Sequence, residues 1–129
     1  MTVGLSAANT ANKLLNTIGR TGTTFGAGVL YVALHTADPG ASGTTAASAV
    51  TTRVSPTFSA ASAGSMAMTS MASTWSMTAT ETISHISFWD ASTAGNFMWS
   101  VALTTSKAVI NGDTLSMSSL TLAFTPIAA

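Results

Sequence analysis

The chain has 129 residues, 47% of them hydrophobic and only 6% charged, where soluble domains carry roughly 25% charged residues. Four Lys and Arg balance four Asp and Glu, so no basic surface exists to neutralise phosphates, and direct binding of nucleic acid is not expected. The absence of cysteine excludes a disulfide framework and any thiolate zinc site.

The length suits one domain, 1–129, with a sizeable core. Ser, Thr and Ala replace the missing charge, and such a surface suits packing against copies of itself or a partner better than repelling neighbours in solution. The N-terminal "MTVGLSAANTANKLL" lacks a basic start followed by a long apolar stretch, and no segment approaches 18 consecutive apolar residues. A protein made in the cytoplasm, without secretory signal or membrane span, is expected.

Residues 6–19 read as a helix, with Ala8, Ala11, Leu15 and Ile18 recurring at spacings of three and four. Ser6 is placed to cap its start and Gly19 to end it. Strands follow. "VLYVALHT" (29–36) is β-branched and aromatic, and it stops at Asp38-Pro39-Gly40, where Pro fixes one φ and Gly frees the next. The stretch 40–48, "GASGTTAAS", offers little with which to build a core and reads as an exposed, flexible loop.

Alternation resumes through Val50, Thr52 and Val54, with Pro56 confining that run to an edge or a break. A Met-rich stretch then carries Met66, Met68, Met71, Trp75 and Met77 between small polar residues. "TISHISFWD" (82–90) is a strand apolar on both faces. "GNFMWSVALT" (95–104) sends Phe97, Trp99, Val101 and Leu103 to one side and Met98, Ser100 and Ala102 to the other. Ala94-Gly95-Asn96 turns between those two. Asn111-Gly112, between two strand-like runs, is the strongest hairpin signal in the chain. In "SLTLAFT", Leu120, Leu122 and Phe124 alternate inward. Seven or eight short antiparallel strands over 29–125, with a short N-terminal helix, predict an all-β, jelly-roll-like β-sandwich.

Leu34 through Gly40, Trp89-Asp90, Gly95-Asn96, Leu103 through Lys107 and Gly112 through Leu115 occur in an ordered succession. It resembles that of small structural proteins of tailed bacteriophages, labelled tail-fibre or minor virion proteins. The resemblance covers most of the chain and implies a virion part, assembled in the host bacterial cytoplasm. Thr51-Thr52-Arg53 stands where relatives commonly carry Tyr-Ala-Arg, and the Met-rich stretch departs from their pattern.

The chemistry-bearing residues are few: His35, His85, Asp38, Glu81, Asp90 and Asp113. Two His and a carboxylate are the ingredients of a facial metal site. Strand periodicity, however, keeps His35 and Asp38 off one face and sets His85 and Asp90 on opposite faces. The competing reading makes Asp38 a turn residue that accepts backbone N–H groups and His35 a strand-end residue bonded to a loop. No Gly-x-Ser-x-Gly elbow or phosphate-cradling glycine motif occurs. No catalytic residue, cofactor or metal is expected.

Trp75, Trp89 and Trp99 raise a carbohydrate-binding surface as a rival idea. Trp99 alternates with core positions, whereas Trp75, flanked by Ser and Met, is the better surface candidate. The Met run reads either as irregular core filling or as an adaptable contact surface. Met66, Met68, Met71, Trp75 and Met77 are thus the assembly-interface candidates, and Asp38, Pro39, Gly40, Asn111 and Gly112 the structural turns. The leading expectation is a capsid decoration protein that binds sibling copies, the major capsid protein or other virion proteins. A tail-fibre or tail-tip protein, with host-glycan binding as one version, is the alternative.

Overall fold

The computed structural model describes residues 3–22, 26 and 28–124. The expected domain limits at 1 and 129, and residue 125 at the end of the expected β region, lie outside them. Eight strands form three antiparallel sheets with one short N-terminal helix, an all-β, sandwich-like fold.

The first sheet has the order β1 (Tyr31–His35), β5 (Glu81–Trp89), β6 (Phe97–Val109). Its central strand is β5, which explains why that segment is apolar on both faces. Ile83, Ile86, Phe88 and Trp89 are all buried. Ile83 and Ile86 are three residues apart, yet both reach the core, because the register against β6 shifts between Ile83 and His85. The second sheet joins β2 (Pro56–Phe58), β3 (Ser65–Met71) and β8 (Thr121–Ala123), with the Pro-bearing β2 at an edge. The third pairs β4 (Trp75–Ser76) with β7 (Thr114–Leu115).

One apolar cluster binds the sheets together: Val32, Leu34, Val50, Val54, Trp75, Met77, Ile83, Ile86, Phe88, Met98 and Val109. Trp75 and Met77 are 1% and 2% exposed, which corrects their reading as contact-surface residues. A strand of two residues has no periodicity to announce its inward face. The Trp75 indole also donates to the Thr52 carbonyl at 3.0 Å, so its one polar atom is satisfied inside.

Asn111-Gly112 does reverse the chain, with Asp113 N–H donating to Ile110 O at 3.0 Å and Gly112 at φ +96°. Its flanking strands nevertheless do not pair with each other. β6 pairs with β5, while β7 pairs with β4. The turn is held to Met77 instead, by Gly112 N–H on Met77 O and Met77 N–H on Asp113 O, both at 2.8 Å. Local turn chemistry thus sets the reversal, and core burial sets the partner.

Residues 40–48, expected as an exposed loop, are exposed at Ala41, Ser42, Thr44, Thr45 and Ala47, and they bury Gly43 and Ser48 against the sheet. Thr45 N–H donates to Pro39 O at 3.0 Å, Ser48 N–H to Leu34 O at 3.0 Å, and Gly43 packs against the Phe97 ring. Ser48 donates to Glu81 Oε1, and Ala49 N–H donates to Oε2 of the same carboxylate at 3.2 Å. The small side chains let the loop lie close on the sheet.

Asp38 Oδ1 accepts Gly40 N–H at 2.8 Å, forming the turn read from sequence. Its Oδ2 is buried with no hydrogen-bond partner among the described residues. Asp38→Ala is therefore expected to cost about 0.5–2 kcal/mol, as for a lost capping oxygen. Asp38→Asn keeps an oxygen to accept Gly40 N–H and is expected to lose less than Asp38→Ala. Thermal denaturation of both variants checks the pair; equal losses would contradict this role for Oδ1.

The N-terminal segment is attached through β6. Ser6 N–H donates to Met98 O at 2.7 Å, Ser100 N–H to Gly4 O at 2.9 Å, and Leu5 bridges Trp99. A π-type turn spans Ala7–Ala11, closed by Ala11 N–H on Ser6 O, and the Ser6 hydroxyl caps it by accepting Asn9 N–H at 3.3 Å. Helix α1 (Asn12–Gly19) continues from it. Among the described residues no helix is long and apolar enough to cross a membrane.

Candidate assembly surface

Of the polar residues singled out by sequence, His35 and Asp90 lie in two clamps that meet at Trp89, whereas Glu81 accepts from Ser48 and Ala49, His85 Nδ1 lies 2.8 Å from Ser84 Oγ, and Asp113 Oδ2 accepts Ile110 N–H at 2.9 Å. His35 is 2% exposed. Its Nδ1 lies 3.0 Å from Thr45 O, its Nε2 lies 2.7 Å from Ser87 Oγ, and Ser87 Oγ accepts the Trp89 indole N–H at 2.8 Å. A carbonyl only accepts, so Nδ1 carries the proton and Nε2 accepts from the Ser87 hydroxyl. This chain of donors is complete with a neutral ring.

Burial, opposed by the backbone carbonyls of Thr45 and Ala46, holds the His35 pKa below its ordinary 6.5. The unfolded chain thus binds a proton that the folded one resists. The corresponding stability is full above pH 6.5 and is lost as pH falls through that value toward the folded pKa. Denaturation midpoints measured from pH 8 to 5 should fall below about pH 6.5, and His35→Gln should flatten that part of the profile.

In the second clamp the Arg53 guanidinium lies 3.8 Å over the Trp89 ring and donates to the carbonyls of Ala91 (3.0 Å) and Ala94 (2.6 Å). Asp90 accepts from Asn96 N–H at 2.6 Å and Asn96 Nδ2 at 2.7 Å. These Asn96 hydrogen bonds hold the Asp90 pKa below its ordinary value. Trp89-Asp90 and Gly95-Asn96, recurring pieces of the sequence pattern, are therefore two ends of one turn. Arg53 joins them from a strand-poor segment that sequence reasoning did not connect. Among the described residues, no group of three or more His, Asp or Glu is placed to hold a metal ion.

One open feature among the described residues is apolar. A groove of about 610 Å³ opens between the two larger sheets. It is lined by Trp99 and Val101 of β6, by Met66 of β3, by Leu122 with the neighbouring Leu120 and Phe124, and by Leu5, Leu14 of α1 and Leu30. None of its lining residues is charged. Trp99 is partly held by stacking on Phe88, with centroids 4.6 Å apart and planes 20° apart. Phe124, expected to point inward, is 70% exposed. It follows β8 at the groove mouth, where its own N–H is bound to Gly64 O at 2.8 Å.

Helix α1 adds to this surface. None of its residues is buried, and Leu15 and Ile18 are 67% and 85% exposed. Of the five interface candidates, Met66 lines the groove, Met68 is half-buried, Met71 packs on the core, and Trp75 and Met77 belong to it. Sequence reasoning missed Leu5, Leu14 and Leu30 as groove residues because they come from segments far apart in the chain.

In comparison with known proteins, a family model described as "Podophage GP4 fiber I protein gp80" matches residues 5–125. No curated protein matches the chain.

Proposed function

Because the chain belongs to the podophage GP4 fiber I protein family and is thus a phage structural protein and virion component, we propose that it serves as a non-enzymatic subunit of the tail fibre. Its work there is to hold chains together through buried apolar area. The family description supports the tail over the capsid shell, where the leading expectation from sequence had put it. The single observation that carries an assembly role is the uncharged groove beside a helix with no buried residue. Soluble monomers rarely leave contiguous apolar surface of this kind bare.

A glycan-binding role resting on Trp75 has no surface to act from, since that ring is in the core. The proposal is tested by antibody labelling of purified virions. Label confined to the tail, at a handful of copies per particle, is expected. Label spread over the shell at hundreds of copies would return the chain to capsid decoration.

A further inference from the structure

We infer that Arg53, with the hydroxyls of Thr51, Thr52, Ser92 and Thr93 around it, forms a site for an acidic saccharide, the guanidinium gripping its carboxylate or phosphate. The inference goes beyond the assembly role, and it rests on the fibre reading only for the source of the sugar, a host surface.

These side chains line an open pocket of about 470 Å³ between the segment 51–53 and the turn that follows β5. Pockets that hold small organic ligands run to about 300–1,000 Å³, so the space admits a sugar ring. The guanidinium is fixed before any ligand arrives. It lies 3.8 Å over the Trp89 ring, and Nη1 gives its two hydrogens to the carbonyls of Ala91 and Ala94. A ligand therefore does not bear the entropy cost of ordering that side chain. The hydrogens of Nε and Nη2 have no acceptor among the described residues. Those two nitrogens form an edge with which Arg binds a carboxylate or phosphate through paired hydrogen bonds.

The charge on Arg53 is also short of a counter-charge. No carboxylate makes a direct ion pair with it among the described residues. Asp90 is near enough to raise its pKa, yet both Asp90 oxygens accept from Asn96. Burial outweighs that help and leaves the Arg53 pKa below its ordinary value. Lys13, Arg20 and Lys107, the other cations of the chain, are exposed, whereas Arg53 is half-buried.

The rest of the lining selects the class of ligand. The hydroxyls of Thr51, Thr52, Ser92 and Thr93 make no hydrogen bond among the described residues, and each can donate and accept, as sugar hydroxyls do. One fixed cation suits one anionic group, whereas a nucleic acid is held by a row of them. A peptide carboxylate would find beside it neither a strand to pair with nor an apolar pocket for a side chain.

The test is a titration of the full chain followed by NMR at the Arg53 Nε–H, using glucuronate, glucose 6-phosphate, glucose, acetate and inorganic phosphate. At least one acidic sugar should shift that resonance and saturate at about 1–10 mM, the level of a few hydrogen bonds. The tighter of the two identifies the anionic group. Glucose, acetate and inorganic phosphate should each bind about tenfold more weakly than that sugar. Arg53→Lys keeps the charge and loses the paired donors, and should weaken the acidic sugar about tenfold. The double variant Ser92→Ala, Thr93→Val alters exposed side chains, so it should keep the wild-type melting temperature and still bind about fivefold more weakly. No shift at Arg53 up to about 50 mM sugar, acetate or phosphate binding as tightly as the acidic sugars, or an unchanged affinity in the double variant overturns the inference. A chain that fails to bind but labels on the tail would leave the fibre reading standing, and a chain that binds but labels on the shell would leave the site standing.

Discussion

Trp75→Ala is expected to lower the stability of the folded chain by about 3–5 kcal/mol, the range for truncating a fully buried Trp. The side chain is 1% exposed within the central cluster and pairs across β4 and β7 at Leu115. Its removal leaves a cavity and also strips the Thr52 carbonyl of its indole donor at 3.0 Å, which adds the cost of an unmade internal hydrogen bond. Folded domains have only about 5–15 kcal/mol in hand, so the variant should lie close to unfolding at physiological temperature. Urea denaturation at constant pH checks this. A loss under about 1 kcal/mol would mean that Trp75 is a surface side chain after all, since surface changes usually stay within about 0.5 kcal/mol.

Gly43→Ala is the second large effect, at about 2–5 kcal/mol. Two independent costs combine there. Gly43 has φ +73°, the left-handed region, where a Cβ costs roughly 1–2 kcal/mol. A Cβ built on it would also stand 2.2 Å from Cδ2 and 2.5 Å from Cγ of Phe97, and forcing an overpacked contact apart costs roughly a further 1–3 kcal/mol. The Phe97 ring is not free to swing clear, because it is 7% exposed and packs on Trp89 with centroids 5.7 Å apart. Phe97→Ala removes both clashing atoms, so Gly43→Ala measured in a Phe97→Ala background should cost less than in wild type. Equal costs in the two backgrounds would show that strain in φ alone is responsible.

Gly43 also shows what the sequence conveyed and what it did not. A run of Gly, Ala, Ser and Thr offers no side chain for a core and reads as an exposed loop, and Ala41, Ser42, Thr44, Thr45 and Ala47 are exposed. The same smallness also lets the backbone at Gly43 approach an aromatic ring. Composition reports what a segment contributes to packing and is silent on how close a neighbour must come.

The strands β1, β5 and β6 were legible because β1 is β-branched and aromatic and stops at a recognisable turn, β5 is a long apolar run and the first half of β6 alternates, although β6 continues to Val109 beyond the expected end at 104. The helix was legible from its spacing, and Ser6 caps its first turn as its side chain suggested. Strands of two or three residues, β4, β7 and β8, carry too little pattern. That is why Trp75 reads as a surface residue and Phe124 as an inward one, each the reverse of what the fold does, while Met77, left open between core filling and contact surface, is core. Asn111-Gly112 shows the same limit from another side, since a turn motif fixes where the chain reverses and leaves open which strands then pair.

The candidate site was the least legible part. Its lining comes from the N-terminal segment, from Leu30, and from β3, β6 and β8 with their flanks, so no window of the sequence contains it. Met66 alone marked it in advance. Of the ordered motifs, Leu34 through Gly40 ends in the turn held by Asp38, and Trp89-Asp90 with Gly95-Asn96 make the turn held by Asp90, Asn96 and Arg53, whereas Leu103 through Lys107 lies within β6 and Gly112 through Leu115 leads into β7. They specify the frame on which the apolar surface is mounted rather than the surface itself.

The measurement that bears most directly on the tail-fibre assignment and its apolar assembly surface is a cryo-EM reconstruction of the intact virion at a resolution that traces this chain. The predicted result is density for the chain in the tail, with the groove between Trp99 and Leu122 filled and α1 covered by a neighbouring chain. Density on the capsid shell, or a chain in the tail whose groove and α1 both face solvent, would contradict it.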